Sequence, residues 1–443
     1  MYSSRDGRRS GSSRYGKRDN VRRRRPYMTR TKDLYKEIKK IGEGTYGEVY
    51  YGIRKTTGEM VALKKVRQHK RAEGIPSSAI RELKIYNILS AESSYHRNIV
   101  RLYEVVADTK DAMLNMDTTF SMVFEYVSDD LTGIMDLMKN GDIHPFTLNH
   151  VRTLMEQLLS ALAFLHKRNI VHRDIKCSNL LISRRGILKL ADFGLALQID
   201  PKNKRQKLHC KVITLWYRPP ELFLGTPKYH SEVDMWSAGC ILAEMLCCRP
   251  LFAKKTDDEM LPRIFQVCGT LSSSQSSNQV IKNFELKKTG TPNEDTWPEH
   301  TKLPKWKTGL IRKPRVETIQ MEIFKLAELL KHNPKFLENP HTHPRMMLSR
   351  AFQMVRDLLR LNPRDRISAE DALSYQFMQR CVHPVHLPPI IPDSIASNSE
   401  FGFHEMQTKS IRKRSRKKHL DAKKEKETSL KKTKLEPHRS MSQ

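Results

Sequence analysis

The hydrophobic pattern of the chain changes its period part-way along, and this change constrains the fold more than any other feature. Residues 35–53 and 61–66 alternate apolar with polar side chains, as half-buried β-strands do. In residues 79–90 and 150–168 the apolar side chains instead recur at helical spacing, which predicts amphipathic helices. The chain therefore begins with β-structure crossed by one helix and continues as a mostly helical region.

This order of elements predicts an α+β fold with two lobes. We expect a small β-rich N-lobe over residues 34–126 and a larger helical C-lobe over residues 131–380, joined by a short connector near residues 124–130. A cleft between two such lobes is a common place for a ligand to bind.

Positive charge is concentrated at the two ends of the chain. Of a formal net charge of +31, residues 1–33 carry 12 Lys/Arg against three Asp, and residues 404–443 carry 14 against five acidic residues. Segments so charged and so poor in apolar surface cannot offset the entropy of ordering. We predict disordered basic tails over residues 1–33 and 381–443. The Ser- and Lys-rich residues 271–291 predict a surface insertion within the domain.

Seven cysteines give no sign of a disulfide framework or a zinc site. Their number is odd, and they show no CxxC spacing. This indicates reduced thiols. No run of about 18 apolar residues is present, and the first residues lack the apolar core of a signal peptide. These features favour a cytosolic or nuclear protein over a secreted or membrane-spanning one.

Residues 42–47, GEGTYG, contain the glycine pattern GxGxxG. Glycines there would let backbone N–H groups approach phosphate oxygens. Dinucleotide-binding folds and plain hairpins give the same pattern, so it decides little alone. Here Val49 follows at the spacing of GxGxxGxV, and Lys64 lies on the next predicted strand and not at the start of a helix. This context disfavours a dinucleotide site and favours a loop that covers nucleotide phosphates.

Lys64 and Glu82 form a second candidate pair. Either residue alone is most simply a solvated surface charge. Because Lys64 lies on a strand and Glu82 on the following helix, the two can meet. Their ion pair would hold the ammonium against the phosphates of a nucleotide.

Residues 171–179, VHRDIKCSN, carry the strongest chemical signal. Asp174 can accept the proton of an attacking hydroxyl, Lys176 can neutralise charge on a transferred phosphoryl group, and Asn179 can bind magnesium. Asp192, which begins an Asp-Phe-Gly triplet, would supply the second metal ligand. Phosphoryl transfer needs positioning and cationic charge more than covalent help, and this set provides both.

Over residues 35–380 the chain resembles the cyclin-dependent kinases, a family of eukaryotic Ser/Thr protein kinases. The segments that carry the resemblance are IGEGTYGEVY (41–50), IPSSAIRE (75–82), VFEY (123–126), HRDIKCSN (172–179), ADFGLA (191–196), WYRPPEL (216–222) and DMWSAGC (234–240). It implies a protein kinase domain over residues 34–380 that uses ATP and Mg²⁺.

The resemblance also implies the roles of individual residues. The implied catalytic residues are Asp174, Lys176, Lys64 and Glu82, and the implied metal ligands are Asn179 and Asp192. The implied nucleotide-binding residues are Ile41, Gly42, Glu43, Gly44, Thr45, Tyr46, Gly47, Val49, Ala62, Lys64, Phe124, Glu125, Val127, Asp130 and Leu181. Glu221 and Arg366 match a buried pair that anchors the WYRPPE segment.

Partners follow from the same resemblance. The helix that contains residues 75–82 would bind a cyclin, which pushes Glu82 toward Lys64. Residues 212–218 would select Ser-Pro or Thr-Pro sites. The combination of HRDIKCSN with KVITLWYRPPEL is most similar to the transcription-elongation members, which phosphorylate the RNA polymerase II tail, and the basic tails suit nuclear import or nucleic-acid contact. A solubilising role for the tails is the alternative.

Two rival functions remain. One is a cell-cycle or splicing-linked cyclin-dependent kinase. The other is a pseudokinase scaffold, against which the intact Lys64, Asp174, Asn179 and Asp192 argue.

The activation loop departs from the family pattern. His209 stands where family members usually carry a phosphorylatable Thr, and Leu197 stands where one of three phosphate-binding arginines is expected; the other two are kept as Arg81 and Arg173. A one-residue misalignment would change the first assignment, but no Ser, Thr or Tyr occurs anywhere between Phe193 and Ile213. Our hypothesis is that a cyclin activates this chain without phosphorylation of the loop.

Overall fold

The computed structural model describes most of the chain between residues 30 and 408. The described residues are 30–44, 47–66, 75–91, 95–107, 120–203, 206–268, 292, 294, 297–306, 344–379, 381, 383–397, 399 and 401–408. Three predictions lie outside them: the tail up to residue 29, the insertion at residues 271–291 and the tail beyond residue 408. Thr45 and Tyr46 lie outside them as well.

A six-stranded sheet forms the N-lobe, as the alternating pattern predicts. Its strand order is β1-β5-β6-β4-β3-β2, with every neighbouring pair antiparallel except β1 and β5. The strands are β1 (Arg30–Thr31), β2 (Tyr35–Gly44), β3 (Gly47–Arg54), β4 (Met60–Val66), β5 (Leu102–Ala107) and β6 (Phe120–Glu125). One helix, α1 (Ser77–Ser90), packs on this sheet.

The two faces of the N-lobe sheet bury different sets of side chains. On one face Leu63 and Val123 belong to a small apolar cluster. On the other face Phe124 joins Tyr86 of α1 in the main core. Successive side chains of a strand point to opposite faces. Strand β4 therefore places Leu63 in the small cluster and Lys64 beside α1, with which it forms hydrogen bonds.

The C-lobe is mostly helical, also as predicted. Its helices are α2 (Leu131–Asn140), α3 (Leu148–His166), α4 (Pro220–Phe223), α5 (Glu232–Cys247), α6 (Asp257–Val267), α7 (Pro344–Leu358), α8 (Ala369–Leu373) and α9 (Asp393–Ala396). Its short strands are β7 (Asp129–Asp130), β8 (Ile170–Val171), β9 (Leu180–Ile182), β10 (Leu188–Leu190) and β11 (Leu197–Gln198). Strands β7, β9 and β10 form one sheet, and β8 pairs with β11.

Helices α3 and α5 lie at the centre of the C-lobe. Every residue of α5 from 233 to 247 is buried, as expected of a helix that is apolar on nearly all sides. Thr147 caps helix α3: its hydroxyl accepts a hydrogen bond from the His150 N–H and so satisfies one free donor of the first turn. Among the described residues, no helix combines the length and the apolarity needed to cross a membrane.

The structure corrects two predicted boundaries of the tails. Residues 30–31, which lie within the predicted N-terminal tail, pair with β5. In the C-terminal tail, predicted to begin at residue 381, residues 401–408 fold back on the domain; we call them the C-terminal strap. The Phe403 N–H donates to Asp129 at 2.8 Å, and the Phe401 ring packs on Tyr51. The strap is ordered because its aromatic side chains bury apolar surface that the basic residues beyond it lack.

Candidate active site

The loop that carries residues 171–179 is held by Asp234, on helix α5. The two Asp234 carboxylate oxygens accept the backbone N–H groups of His172, at 2.8 Å, and Arg173, at 2.9 Å. Arg173 has a φ of 64°, a strained conformation for a residue with a side chain. Burial opposes the charge of Asp234, but hydrogen bonding to His166 and the backbone N–H groups outweighs it and lowers the pKa of Asp234. A buried carboxylate thus fixes residues 171–179, which we call the catalytic loop.

Asp174 is held in place by three side chains. Thr214 donates its hydroxyl to Oδ1 at 2.9 Å. Lys176 Nζ lies 2.7 Å from Oδ2, and Asn179 Nδ2 donates to the same oxygen at 3.1 Å. Lys176 is therefore beside the proposed base, as the sequence predicts. The contact with Thr214 comes from the activation segment and was not foreseen.

His172 contributes the orientation of the loop. Burial lowers the pKa of this imidazole and so favours its neutral form. Its Nδ1 accepts the Asp174 N–H at 3.2 Å, which leaves Nε2 to donate to the carbonyl oxygen of Ala191, 3.1 Å away. The ring thereby links the catalytic loop to the residue that precedes Asp192.

Lys64, Glu82 and Asp192 meet as an ion triad between the lobes. Lys64 Nζ lies 3.0 and 2.8 Å from the two Glu82 oxygens and 2.9 Å from Asp192 Oδ1. Burial by itself lowers the pKa of Lys64, but the two carboxylates outweigh it and raise that pKa. Burial also opposes ionisation of Asp192, yet Lys64 lowers the pKa of Asp192 to about 2. The predicted contact between Lys64 and Glu82 is confirmed.

A row of edge-to-face and tilted aromatic contacts lies beside this triad. The Phe193 ring centroid lies 4.9 Å from that of His172 and 5.1 Å from that of Tyr86, and Tyr86 in turn lies 5.3 Å from Phe124. Phe193 is fully buried. These rings join the catalytic loop, α1 and β6. Because Glu82 and Tyr86 both lie on α1, the contact of Tyr86 with Phe193 holds Glu82 near Asp192.

Asn179 and Asp192 fit the predicted magnesium site. The Asn179 side-chain nitrogen donates to the Asp174 backbone oxygen at 2.8 Å and to its carboxylate, which leaves the amide oxygen for a cation. The Ala191 N–H donates to the Asn179 backbone oxygen at 2.9 Å and so brings the two predicted ligands together. Within the part of the chain that is described, no group of three or more His, Cys, Asp or Glu side chains could hold a metal. Two oxygen donors without a full protein cage suit Mg²⁺, which binds through few carboxylates together with substrate phosphates.

Comparison with known proteins identifies the family. The model of the protein kinase domain matches residues 35–378. Cyclin-dependent kinase C-1 of Oryza sativa subsp. japonica is 37% identical over 407 residues, which are 90% of this chain and 67% of the relative. The chain belongs to the cyclin-dependent kinases. Two longer relatives, both cyclin-dependent kinase 12, are 36% identical in Caenorhabditis elegans and 37% identical in Drosophila melanogaster. The matches take in 86% and 85% of this kinase but only 45% and 28% of those two relatives.

Strand register brings the predicted nucleotide-binding residues of the kinase together. Val49 lies opposite Lys64 on β4, and Ala62 of β4 lies opposite Phe124 of β6. The remaining apolar members of the set, Ile41, Val127 and Leu181, are buried or half-buried. Their contact with a nucleotide stays a prediction.

Gly47 serves the sheet as well as the predicted phosphate loop. A Cβ atom at this position would lie 1.8 Å from the backbone oxygen of Lys65. Glycine is therefore required for β3 to approach β4, whatever binds above it. At the end of β2, Gly42 pairs with Val49 and Gly44 pairs with Gly47, so the strands converge on the loop.

Two acidic residues of the predicted nucleotide set have side-chain partners within the protein. Glu43 is exposed and pairs with Lys40 at 2.9 Å. The Glu125 carboxylate accepts the Arg101 N–H and lies 2.8 Å from Lys189. The Glu125 side chain is thus bonded within the protein, and its contact with a nucleotide stays a prediction.

The Asp130 carboxylate binds the C-terminal strap. Its carboxylate caps α2 by accepting the Gly133 N–H at 2.8 Å, and it also accepts the Glu405 N–H at 2.7 Å. At 4% exposure it does not face an open cleft. The sequence contains one signal of this arrangement, the aromatic residues Phe401 and Phe403 just ahead of the basic run at the end of the chain.

We expect replacement of Lys64 with methionine to reduce phosphoryl transfer about 10²-fold, because it removes one preorganised cation from the site. It also leaves the Glu82 carboxylate buried without its partner, which costs on the order of 3 kcal/mol of unfolding free energy. The matched control is Lys65→Met. Lys65 is the next residue on β4 and pairs with half-buried Glu37 instead, at 2.8 Å, so its loss should change stability by less than about 1 kcal/mol. Steady-state kinetics and urea unfolding of both variants measure the difference; equal effects would contradict the role of the triad.

Proposed function

We propose that this chain is a cyclin-dependent Ser/Thr kinase that transfers the γ-phosphoryl group of ATP to Ser-Pro and Thr-Pro sites. The observation that carries the proposal is that His172 links the loop of Asp174 and Lys176 to Ala191, the residue before Asp192 of the ion triad. Each residue type supplies one requirement of phosphoryl transfer. A scaffold would have no need for all of them.

The residues divide the work of the reaction. Asp174 orients the attacking hydroxyl and receives its proton, and Lys176 offsets the charge that develops on the transferred group. Lys64, oriented by Glu82, holds the phosphates of the nucleotide. Magnesium, when bound through Asn179 and Asp192, supplies positive charge to the phosphate oxygens. The Asp234 carboxylate keeps the catalytic loop rigid, which limits the reorganisation that the reaction requires.

Ile213 supports the preference for proline after the phosphorylated residue. It has a φ of 68°, which is rare for a β-branched residue. The Arg218 guanidinium donates to its carbonyl oxygen at 3.3 and 3.1 Å. A carbonyl so occupied is a poor acceptor for a substrate N–H, and proline is the residue that has no N–H to satisfy.

Helix α1 supports the cyclin assignment. Ile75 and Ile80, in the segment 75–82, are large apolar side chains with exposures of 48% and 52%. A partner that covers them would also set the position of Glu82, which lies on the same helix. We propose that this partner is a cyclin.

We also propose that the substrate is the RNA polymerase II tail and that the kinase is nuclear. Both proposals rest on the sequence similarity to transcription-elongation members and on the basic ends of the chain. A cell-cycle or splicing-linked cyclin-dependent kinase is the rival outcome.

The test is phosphate transfer by the full chain, purified with its co-purifying cyclin, to synthetic peptides. One peptide carries the RNA polymerase II heptad, one a histone-type Ser-Pro site, and each has a partner in which the proline is alanine. We expect transfer to the heptad to be fastest. The alanine peptides should react about 10 to 100 times more slowly, since an unpaired N–H costs about 1–3 kcal/mol.

A variant pair checks the origin of the proline preference. Arg218→Ala frees the Ile213 carbonyl and should narrow the difference between proline and alanine peptides. Asp257→Asn removes only the salt bridge between Asp257 and Arg218, 3.0 Å long, and should leave the preference intact. Equal rates on proline and alanine peptides by the unaltered complex would refute the proposed specificity.

A further inference from the structure

The two phosphate-binding arginines that the chain keeps are already bonded to the activation segment. The Arg173 Nε donates to the backbone oxygen of Leu195 at 2.8 Å. Arg81 donates to the backbone oxygen of Gly194 at 3.0 Å. Both guanidinium groups therefore have hydrogen-bond acceptors in the absence of a phosphate.

Tyr229 connects Arg173 to the part of the loop where the phosphorylated residue is expected. Its hydroxyl donates to the backbone oxygen of His209 at 2.8 Å and accepts a hydrogen bond from Arg173 Nη1 at 3.1 Å. A tyrosine hydroxyl can donate and accept at the same time. Tyr229 and Arg173 are each only 5% exposed, so these bonds are shielded from water.

Two more bonds fix the same stretch of loop to the residues before Tyr229. The Leu208 N–H donates to the Pro227 oxygen at 2.9 Å, and Cys210 Sγ lies 3.0 Å from the Thr226 oxygen. The loop on either side of His209 is thus held on residues 226–229 by contacts that involve no phosphate.

We propose that Tyr229 is a positioning residue that takes the place of the loop phosphate. It ties Arg173, the neighbour of the catalytic Asp174, to His209 and so orders the activation segment without modification. This rests on the proposed kinase function and adds its mode of regulation.

The consequence for catalysis follows from distance along the chain. Only four residues separate His209 from Thr214, which contacts Asp174. Ile213, whose carbonyl faces Arg218, lies in the same stretch. A loop released at His209 would therefore lose its substrate-binding conformation, whereas the nucleotide would still meet Lys64.

The first experiment replaces Tyr229 with phenylalanine in the full chain, purified with its co-purifying cyclin. We expect the KM for a Ser-Pro heptad peptide to rise about tenfold, because a buried guanidinium and a loop carbonyl lose their shared partner. The KM for ATP should stay unchanged. Trypsin should also cleave after Lys207 or Lys211 faster than in the unaltered complex, as expected of a loop that opens more often.

Tyr375→Phe is the matched control. Tyr375 donates its hydroxyl to Asp357, on helix α7 of the C-lobe. This variant loses a comparable hydrogen bond, so any general loss of stability should appear in both variants. The change in peptide KM and the loop cleavage should appear in Tyr229→Phe alone. Identical peptide KM values and cleavage patterns for Tyr229→Phe and the unaltered complex would overturn the role of Tyr229.

The second experiment needs no variant and so does not depend on the folding of Tyr229→Phe. The unaltered complex is treated with phosphatase, or with a kinase-activating kinase and ATP. Activity on the heptad peptide should change less than twofold in both cases. A large gain accompanied by a phosphate in the activation segment would overturn the proposal. A complex that phosphorylates no Ser-Pro peptide at all would instead refute the proposed function.

Discussion

Replacement of Asp174 with asparagine should reduce phosphoryl transfer about 10³-fold, within the range that a positioned general base contributes. An amide has nearly the same shape as a carboxylate but cannot take up the proton of the attacking hydroxyl. The contacts around position 174 also include Lys176, at 2.7 Å, which loses its anionic partner. Nucleotide binding should persist, because Lys64 and Glu82 are not altered.

Single-turnover kinetics with the heptad peptide measure the loss, and the thermal shift produced by Mg-ATP reports binding. Asp200→Asn is the control, since Asp200 is an exposed carboxylate of the activation segment that accepts the Lys202 N–H at 2.9 Å. It should behave as the unaltered protein. If Asp174→Asn kept more than a tenth of the activity, the assignment of the base would be wrong. Cellular function that survived this variant would favour the scaffold reading.

Replacement of Arg366 with methionine should lower the free energy of unfolding by about 3–5 kcal/mol, because it strands a buried charge. Arg366 and Glu221 form a bidentate pair with both distances at 2.6 Å, and their side chains are 0% and 2% exposed. This pair, expected from the family resemblance, is confirmed. The methionine side chain fills similar space but leaves the Glu221 carboxylate without a cation.

Urea unfolding of three variants separates the causes. Arg366→Met is compared with Arg366→Met/Glu221→Gln, in which no carboxylate remains and part of the stability should return. Lys302→Met breaks an exposed pair with Glu299, 73% and 61% exposed, and should leave the free energy of unfolding nearly unchanged. A loss below 1 kcal/mol for Arg366→Met would show that the pair does not anchor the WYRPPE segment.

Local patterns in the sequence were sufficient for the elements and for the nearest contacts of the site. Strand alternation predicts β2 to β4, and helical spacing predicts α1 and α3. The contact of Lys64 with Glu82 could be predicted because β4 and α1 are neighbours along the chain. Such features depend on periods and spacings of a few residues.

The contacts that the sequence did not reveal join residues far apart. Asp234 holds His172 across 62 positions, and Asp130 binds Glu405 across 275. Neither polar residue differs by type from an ordinary surface carboxylate, and only the packing of the chain decides that it is buried and must find donors. The contact of Tyr229 with His209 could not be predicted either, since it depends on where the fold places the two residues.

The C-terminal strap gives the two lobes a second connection, in addition to the connector near residues 124–130. Its bonds to the C-lobe are directional: Asp129 and Asp130 accept its backbone N–H groups, and Thr408 donates to Asp136 at 3.1 Å. Its contacts with the N-lobe include the Phe401 and Tyr51 rings, with centroids 5.2 Å apart, and Lys39 Nζ, 4.4 Å from the Phe401 centroid. The Tyr126 hydroxyl also donates to the Phe401 backbone oxygen at 2.8 Å. Ring contacts tolerate sliding that hydrogen bonds do not. When the lobes separate, the Phe401 ring should therefore move relative to Tyr51, while hydrogen bonds keep the strap on the C-lobe and on Tyr126, beside the connector.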